Sequence, residues 1–406
     1  MKSGFRPTAK HLVSLADWPK MKRSSRALVL TIILGAALVC SSAGQTLTVL
    51  HKFNGPDGDT PITGVIRDGA GNVYGTTKWG GSAGSGTVFE LETSLNEILL
   101  HDFTGTTEAA TPRGNLILDS AGNLYGAASG GGESACQCGV IFKIDRRGKW
   151  TVLYSFKGGQ DGYSPGAGVI LDDAGNLYGT TYSGGHTYGT VFKLDASGKE
   201  TMLYRFRGGL DGSAPTGELV RDAAGNLYGT TSAGGDSVCQ CGTIFKLDST
   251  GKLTVLYRFL GGTDGSGSAA GLARDAAGNL YGMTTGGGDP ICQCGVVFKL
   301  DKSGKETVLH SFTHGSDGAY PYGGVIRDAA GNLYGTTNYG GDSDAGIIFK
   351  LDSSGGETIL YSFRGEGDGG YPYAGVIRDS AGNLYGTTAF DYDGNCFCGT
   401  VWKLTP

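Results

Sequence analysis

The chain has 406 residues, 75 of them glycine, with 39% hydrophobic and 17% charged side chains. So much glycine fits collagen, disorder or a turn-rich β protein. Glycine does not fall at every third position, and Tyr, Phe, Val, Ile and Leu recur throughout, so only the β protein survives. The formal net charge of −5 is the wrong sign for a nucleic-acid or anionic-membrane partner.

Residues 1–43 read as a leader. The stretch "MKRSSRALVLTIILGAALVCSSA" begins at Met21 with Lys22, Arg23 and Arg26 and then runs apolar from Ala27 to Val39. It closes on Ser41 and Ala43, small residues placed for signal-peptidase cleavage. Its 13 apolar residues would span about 20 Å as a helix, short of the ~30 Å hydrocarbon core of a bilayer. A secretory signal peptide is therefore expected, with residues 1–20 as an over-long extension. Val39 is bulkier than the residue that lipid attachment at Cys40 would want. The mature chain, residues 44–406, carries 26 basic against 37 acidic residues. An extracytoplasmic location, secreted or periplasmic, is expected, with no stable membrane insertion after cleavage.

The phrase "DAAGNLYGTT" (Asp222–Thr231) then sets the organisation. Its Asn recurs at Asn72, Asn123, Asn176, Asn226, Asn279, Asn332 and Asn383, at intervals of 51, 53, 50, 53, 53 and 51 residues. Each copy reads as four short strands, A to D. In the third copy these are Gly168–Asp172, Asn176–Thr181, Gly189–Asp195 and Glu200–Phe206. Seven such units predict an all-β fold, a seven-bladed β-propeller of four-stranded blades. The mature chain opens on a strand D (Thr46–Phe53) and stops after a strand C (Gly399–Leu404). The N-terminal strand should therefore complete the last blade and hide two edges. Within the phrase, Asp caps a tight turn and Gly supplies positive φ. The Tyr column (Tyr74 to Tyr385) and the aromatic column of strand C (Phe89 to Trp402) are expected between sheets.

The D-x-x-GN-[LV]-YG-T-T phrase, a GG loop, G-T-[VI]-F-K-L-D and L-Y-x-F together resemble the GloVer tandem-repeat family over residues 46–406. Strands A and B are also similar to NHL and SBBP propeller repeats. The resemblance implies an exported bacterial repeat protein and supplies neither catalytic residues nor a defined ligand. GloVer proteins often end in a sorting anchor; no such tail precedes Pro406, so a free chain is expected.

The A–B and C–D turns are monotonous, whereas the B–C and D–A loops vary, so a ligand is expected on the B–C/D–A face. Candidate ligand-binding residues there are Trp79, Tyr320, Tyr322, Tyr339, Tyr371, Tyr373, Phe390 and Tyr392. They belong to blades 6, 7 and 1, adjacent in a closed ring. They would form a platform for sugar rings or apolar groups, or else merely fill gaps between loops. An acid recurs in every D–A loop, at Asp57, Glu108, Asp161, Asp211, Asp264, Asp317 and Asp368. A calcium loop would need a D-x-D-x-D-G spacing that is absent, and Asp-Gly is ordinary turn chemistry.

Eight mature cysteines occur only as C-x-C pairs: Cys136/Cys138, Cys239/Cys241, Cys292/Cys294 and Cys396/Cys398. All-or-none occurrence favours a disulfide within each loop. A zinc site from the pairs of blades 4 and 5, or free redox thiols, are the alternatives. No H-E-x-x-H or P-loop occurs. His51, His101 and His310 replace a strand D Tyr and read as structural, while His186 and His314 read as isolated loop residues. No metal and no cofactor are expected. The reading is a non-catalytic, exported binding or interaction scaffold for an extracellular ligand, carbohydrate or protein. The alternative is a secreted carbohydrate-active enzyme, a glycosidase or lyase, using acids and aromatics of the loop face.

Overall fold

The turn at Asp222 shows why every copy folds alike. Its carboxylate accepts the Asn226 backbone N–H (2.9 Å), the Asn226 side-chain amide (2.8 Å) and the Tyr228 hydroxyl (3.1 Å). Gly225 bends the chain with φ 83, a value open to Gly without steric cost. The same Tyr-to-Asp bond is made in the other six copies. The phrase is a self-satisfying β-turn.

The protein is known as a computed structural model that describes residues 45–132, 135–268, 270–392 and 396–406. The expected leader lies outside the described residues. Each repeat forms one antiparallel sheet with strands in the order A-B-C-D. In blade 4 these are Val220–Arg221, Leu227–Thr231, Thr243–Leu247 and Leu253–Arg258. Strand A of blade 3 is shorter than expected, Ile170–Leu171, with a separate paired segment at Tyr163–Pro165.

The ring closes as expected. Thr46–Lys52 pairs antiparallel with Thr400–Thr405, matching Leu47 with Leu404 and Val49 with Trp402. Phe53 then donates its N–H to the Gly399 carbonyl at 3.1 Å. Between blades 7 and 1, the Thr387 hydroxyl donates to the Thr63 carbonyl (2.8 Å). Equivalent ties run from Thr230 to Ala270 and from Thr336 to Ala374.

Aromatic side chains fill the gaps between sheets. The strand D Phe of one blade meets the strand C aromatic of the next, from Phe53–Phe89 (5.1 Å) round to Phe363–Trp402 (5.7 Å). Such pairs add about 0.5–1.5 kcal/mol each beyond their buried area. The Gly of each "YG" lies beneath the same ring: a Cβ on Gly229 would stand 2.7 Å from Phe245 Cζ. That glycine is required by space, since its φ is not positive. On the flank, Arg274 lies over the Tyr228 ring (5.5 Å) and Arg327 over Tyr281 (5.5 Å), joining each blade to the one before.

Candidate functional site

The seven D–A acids are part of the scaffold. Asp161 accepts the Tyr154 hydroxyl (2.6 Å) and the Lys157 N–H (2.6 Å). Asp211, Asp264 and Asp368 do the same for Tyr204, Tyr257 and Tyr361. Where strand D carries His, His51 reaches Asp57 (3.1 Å), His101 reaches Glu108 (2.9 Å) and His310 reaches Asp317 (3.6 Å). Each acid thus closes its own turn. Beside three of them lies a partly buried Glu from the next blade. Burial first, and then the carboxylates of Asp161, Asp264 and Asp317, push Glu200, Glu306 and Glu357 up to about 7.

On the variable face, the D–A and B–C loops of one blade pair through short bridges, such as Ala319 with Tyr339 and Gly370 with Phe390. The next residue takes a left-handed conformation: Thr60 (φ 54), Ala214 (φ 53), Tyr320 (φ 52) and Tyr371 (φ 58). Its N–H donates to a B–C loop carbonyl of the preceding blade, as from Tyr320 to Cys294 (2.8 Å) and from Tyr371 to Ala345 (2.7 Å). This inter-blade bond offsets a conformation that costs a non-glycine residue about 1–2 kcal/mol. Blades 6 and 7 alone among the described copies place an aromatic residue there.

The consequence is a line of rings meeting edge to face. Tyr320 contacts Tyr339 (5.9 Å), Tyr339 contacts Tyr371 (5.2 Å), and Tyr371 contacts both Phe390 (6.0 Å) and Tyr392 (6.1 Å). Closer to the axis, Tyr322 and Tyr373 lie tilted against each other at 5.2 Å. Burial, and then the neighbouring tyrosine hydroxyls, raise the Tyr322 and Tyr373 phenols above their usual range. Trp79 stands apart from both groups. It lies under the Lys78 ammonium (5.1 Å) and walls a shallow recess with Pro56, Asp59 and Asp102. Two members of the line escape sequence reading. His314 is not isolated: it bonds Asp344 (3.0 Å) and contacts Tyr320 (5.9 Å). Phe397, between two cysteines, packs on Tyr392 at 5.0 Å.

The axis holds a cavity of about 360 Å³ lined by all seven blades. Its mouth includes Arg113, Thr216, Tyr322 and Tyr373; the last three lie four residues before the first paired residue of strand A, whereas Arg113 pairs with Ala127 inside the longer strand A of blade 2, Ala110–Leu118. Its floor lies two residues deeper, where five blades have Gly and blades 2 and 4 have Asn115 and Glu218. Those two cross the axis: the Asn115 N–H donates to Glu218 Oε1 (2.9 Å), and Asn115 Oδ1 accepts the Gly64 N–H (2.7 Å). Burial holds the Glu218 carboxyl above the usual range against the pull of Asn115. A column comparison would have exposed Arg113, Asn115 and Glu218 as departures from their neighbours in the repeat.

Each C-x-C pair is joined within its own loop: Cys136 to Cys138, Cys239 to Cys241, Cys292 to Cys294 and Cys396 to Cys398, with Cα separations of 5.1–5.2 Å. Gln137, Gln240 and Gln293 between the cysteines have φ of 50, 53 and 51, the bend that lets residues i and i+2 meet. Cys239, Cys241, Cys292 and Cys294 form two separate bonds, which leaves no thiolates for a shared zinc. Both members of a pair lie in the variable loop, and the second, Cys138, Cys241, Cys294 or Cys398, is a buried member of a core between blades. The reason lies in the backbone. The carbonyls of Cys138, Cys241, Cys294 and Cys398 accept the inter-blade N–H bonds from Ser164 (2.8 Å), Gly267 (2.9 Å), Tyr320 (2.8 Å) and Thr60 (3.0 Å). The second cysteine is thereby drawn under the next blade, and the disulfide pins the exposed part of the loop to scaffold.

No group of three or more metal-ligating side chains occurs among the described residues. No helix among them is long and apolar enough to cross a membrane.

Seven blades in a closed ring, each of four strands with one extra paired segment in blade 3, and variable loops on one face define a seven-bladed β-propeller. Within that class the chain belongs to the Gloeobacter/Verrucomicrobia repeat family, whose model matches residues 34–188 and 168–402. No curated protein matches the sequence. Among solved structures, the extracellular domain of BT4673 from B. thetaiotaomicron is similar, with a TM-score of 0.58 and 10% identity over 88% of this chain. The chain spans only 39% of that domain. A protein of Bacteroides uniformis named as a 6-phosphogluconolactonase is similar at a TM-score of 0.50 and 16% identity, over 78% of this chain and 88% of that one. At these identities the likeness is one of fold.

Proposed function

We propose that this chain is an exported, non-catalytic binding propeller that holds a glycan on its B–C/D–A face. The observation that carries the reading is the ring line from Tyr320 to Tyr392 leading to the Tyr322–Tyr373 pair at the axial mouth. Sugars present flat C–H faces edged with hydroxyls, and tyrosine offers a matching ring with a polar tip. Tyr322 is 40% and Tyr392 43% exposed, so these rings are open to a ligand. The buried acids of blade 7 on this face are already engaged: Asp368 by Tyr361 and Arg364, Asp391 by Lys52 and the Gly367 N–H. That engagement favours binding over acid–base catalysis.

Glycan-array binding of the exported chain tests this. The double variant Tyr322→Ala/Tyr373→Ala should lose its signal while its melting temperature stays within about 1 °C, because surface changes cost little stability. Binding that survives the double variant, or release of a cleaved sugar, would overturn the reading.

A further inference from the structure

We propose that the axial cavity is the anion-recognising end of this site, and that the preferred glycan bears a carboxylate on the ring held there, as a uronic acid does. The inference rests on the glycan reading above and names the substrate class.

The cavity mouth carries positive charge without a counter-ion. Arg113, within strand A of blade 2 (Ala110–Leu118), lines it. Lys78 directly follows strand B of blade 1 (Val73–Thr77) and belongs to the same neighbourhood. Burial and then the Arg113 charge pull the Lys78 ammonium below its ordinary range. Neither cation forms an ion pair with a described residue. Arg113 Nε and Thr216 Oγ1 are both buried atoms without a hydrogen-bond partner among the described residues. Buried donors are ordinarily satisfied, and like charges placed together are costly. A bound anion would relieve both conditions at once.

Size and wall chemistry narrow the class. A volume of about 360 Å³ lies at the small end of ligand pockets, which run from about 300 to 1,000 Å³. It suits a single ring rather than a polymer. Tyr322 and Tyr373 supply the stacking surface on one side of the mouth, and Arg113 and Thr216 supply donors from other blades. A planar carboxylate matches the guanidinium fork. On the floor, burial raises the Glu218 carboxyl above its ordinary range, which weakens its opposition to an anion. The glycines at this level are closely packed: a Cβ on Gly64 would meet Asn115, and one on Gly168 or Gly375 would meet backbone of the neighbouring blades.

Titration calorimetry with methyl β-D-glucuronide, methyl β-D-glucoside and sodium acetate tests the proposal. The glucuronide should bind about tenfold tighter than the glucoside, as a charge-assisted hydrogen bond predicts. Added salt should narrow that ratio. Arg113→Gln should collapse it and Lys78→Met should reduce it, with folding checked by circular dichroism. Equal affinity for glucuronide and glucoside, or a preference that survives Arg113→Gln, would overturn the carboxylate proposal and leave the glycan reading standing. Acetate binding as tightly as glucuronide would instead overturn the glycan reading itself, and this proposal with it.

Discussion

The two faces of the wheel are built from the same repeats and obey different rules. On the A–B face one turn occurs seven times, with Asp, Gly, Asn and Tyr in fixed hydrogen-bonded roles. On the B–C/D–A face the backbone bonds between blades persist while the side chains diverge: Thr60 and Ala214 occupy the position that Tyr320 and Tyr371 hold in blades 6 and 7. Repetition marks where the fold is satisfied from within. Divergence on an unchanged backbone marks the face that the proposed glycan would meet.

The comparison is broken most severely from the inside. Gly229→Ala drives a methyl into Phe245 and Leu219, and overpacking of this kind costs about 1–3 kcal/mol. Denaturant unfolding should show the loss. Asp222→Ala removes the acceptor for Asn226 and Tyr228. At roughly 1 kcal/mol per lost hydrogen bond, it should destabilise by about 1–3 kcal/mol in the same assay.

A gentler test uses pH. Glu200, Glu306 and Glu357 sit at about 7 in the fold against 4.5 for an unperturbed Glu. A raised acid favours the folded state while protonated. Its contribution is therefore complete below about pH 4.5 and is lost as the pH rises through about 7. The melting temperature should fall between about pH 5 and pH 8. The triple variant Glu200→Gln/Glu306→Gln/Glu357→Gln should flatten that slope. A modest stability effect is expected from Cys239→Ser/Cys241→Ser, which opens a very short loop, for which chain entropy gives less than the ~3 kcal/mol of a 15-residue loop. Calorimetry should show a modest drop.

Much of the fold is legible in the sequence because its signals are periodic. The Asn column counts the blades, and a strand D at one end with a strand C at the other dictates closure between Thr46–Lys52 and Thr400–Thr405. The site is only partly legible. Tyr320, Tyr339, Tyr371, Phe390 and Tyr392 meet as their shared loops suggest. Trp79 does not, because neighbouring blades do not fix how far apart two loop tips lie around the rim. Arg113, Asn115 and Glu218 converge on the axis from blades 2 and 4, a radial relation no linear spacing encodes. The cysteine pairing follows from all-or-none occurrence, but the burial of Cys138 and Cys398 depends on bonds to the next blade, Ser164 and Thr60, that no loop reveals by itself. The D–A acids look like a charged ring until strand register shows a Tyr or His waiting for each one.

The most direct test is a hydrogen-exchange footprint of the chain with and without methyl β-D-glucuronide. Protection should appear in the B–C and D–A loops of blades 6 and 7 and around Arg113, with the seven D-x-x-G-N turns unchanged. Protection spread over those turns, with none near Tyr322 and Tyr373, would contradict the division of labour between the two faces.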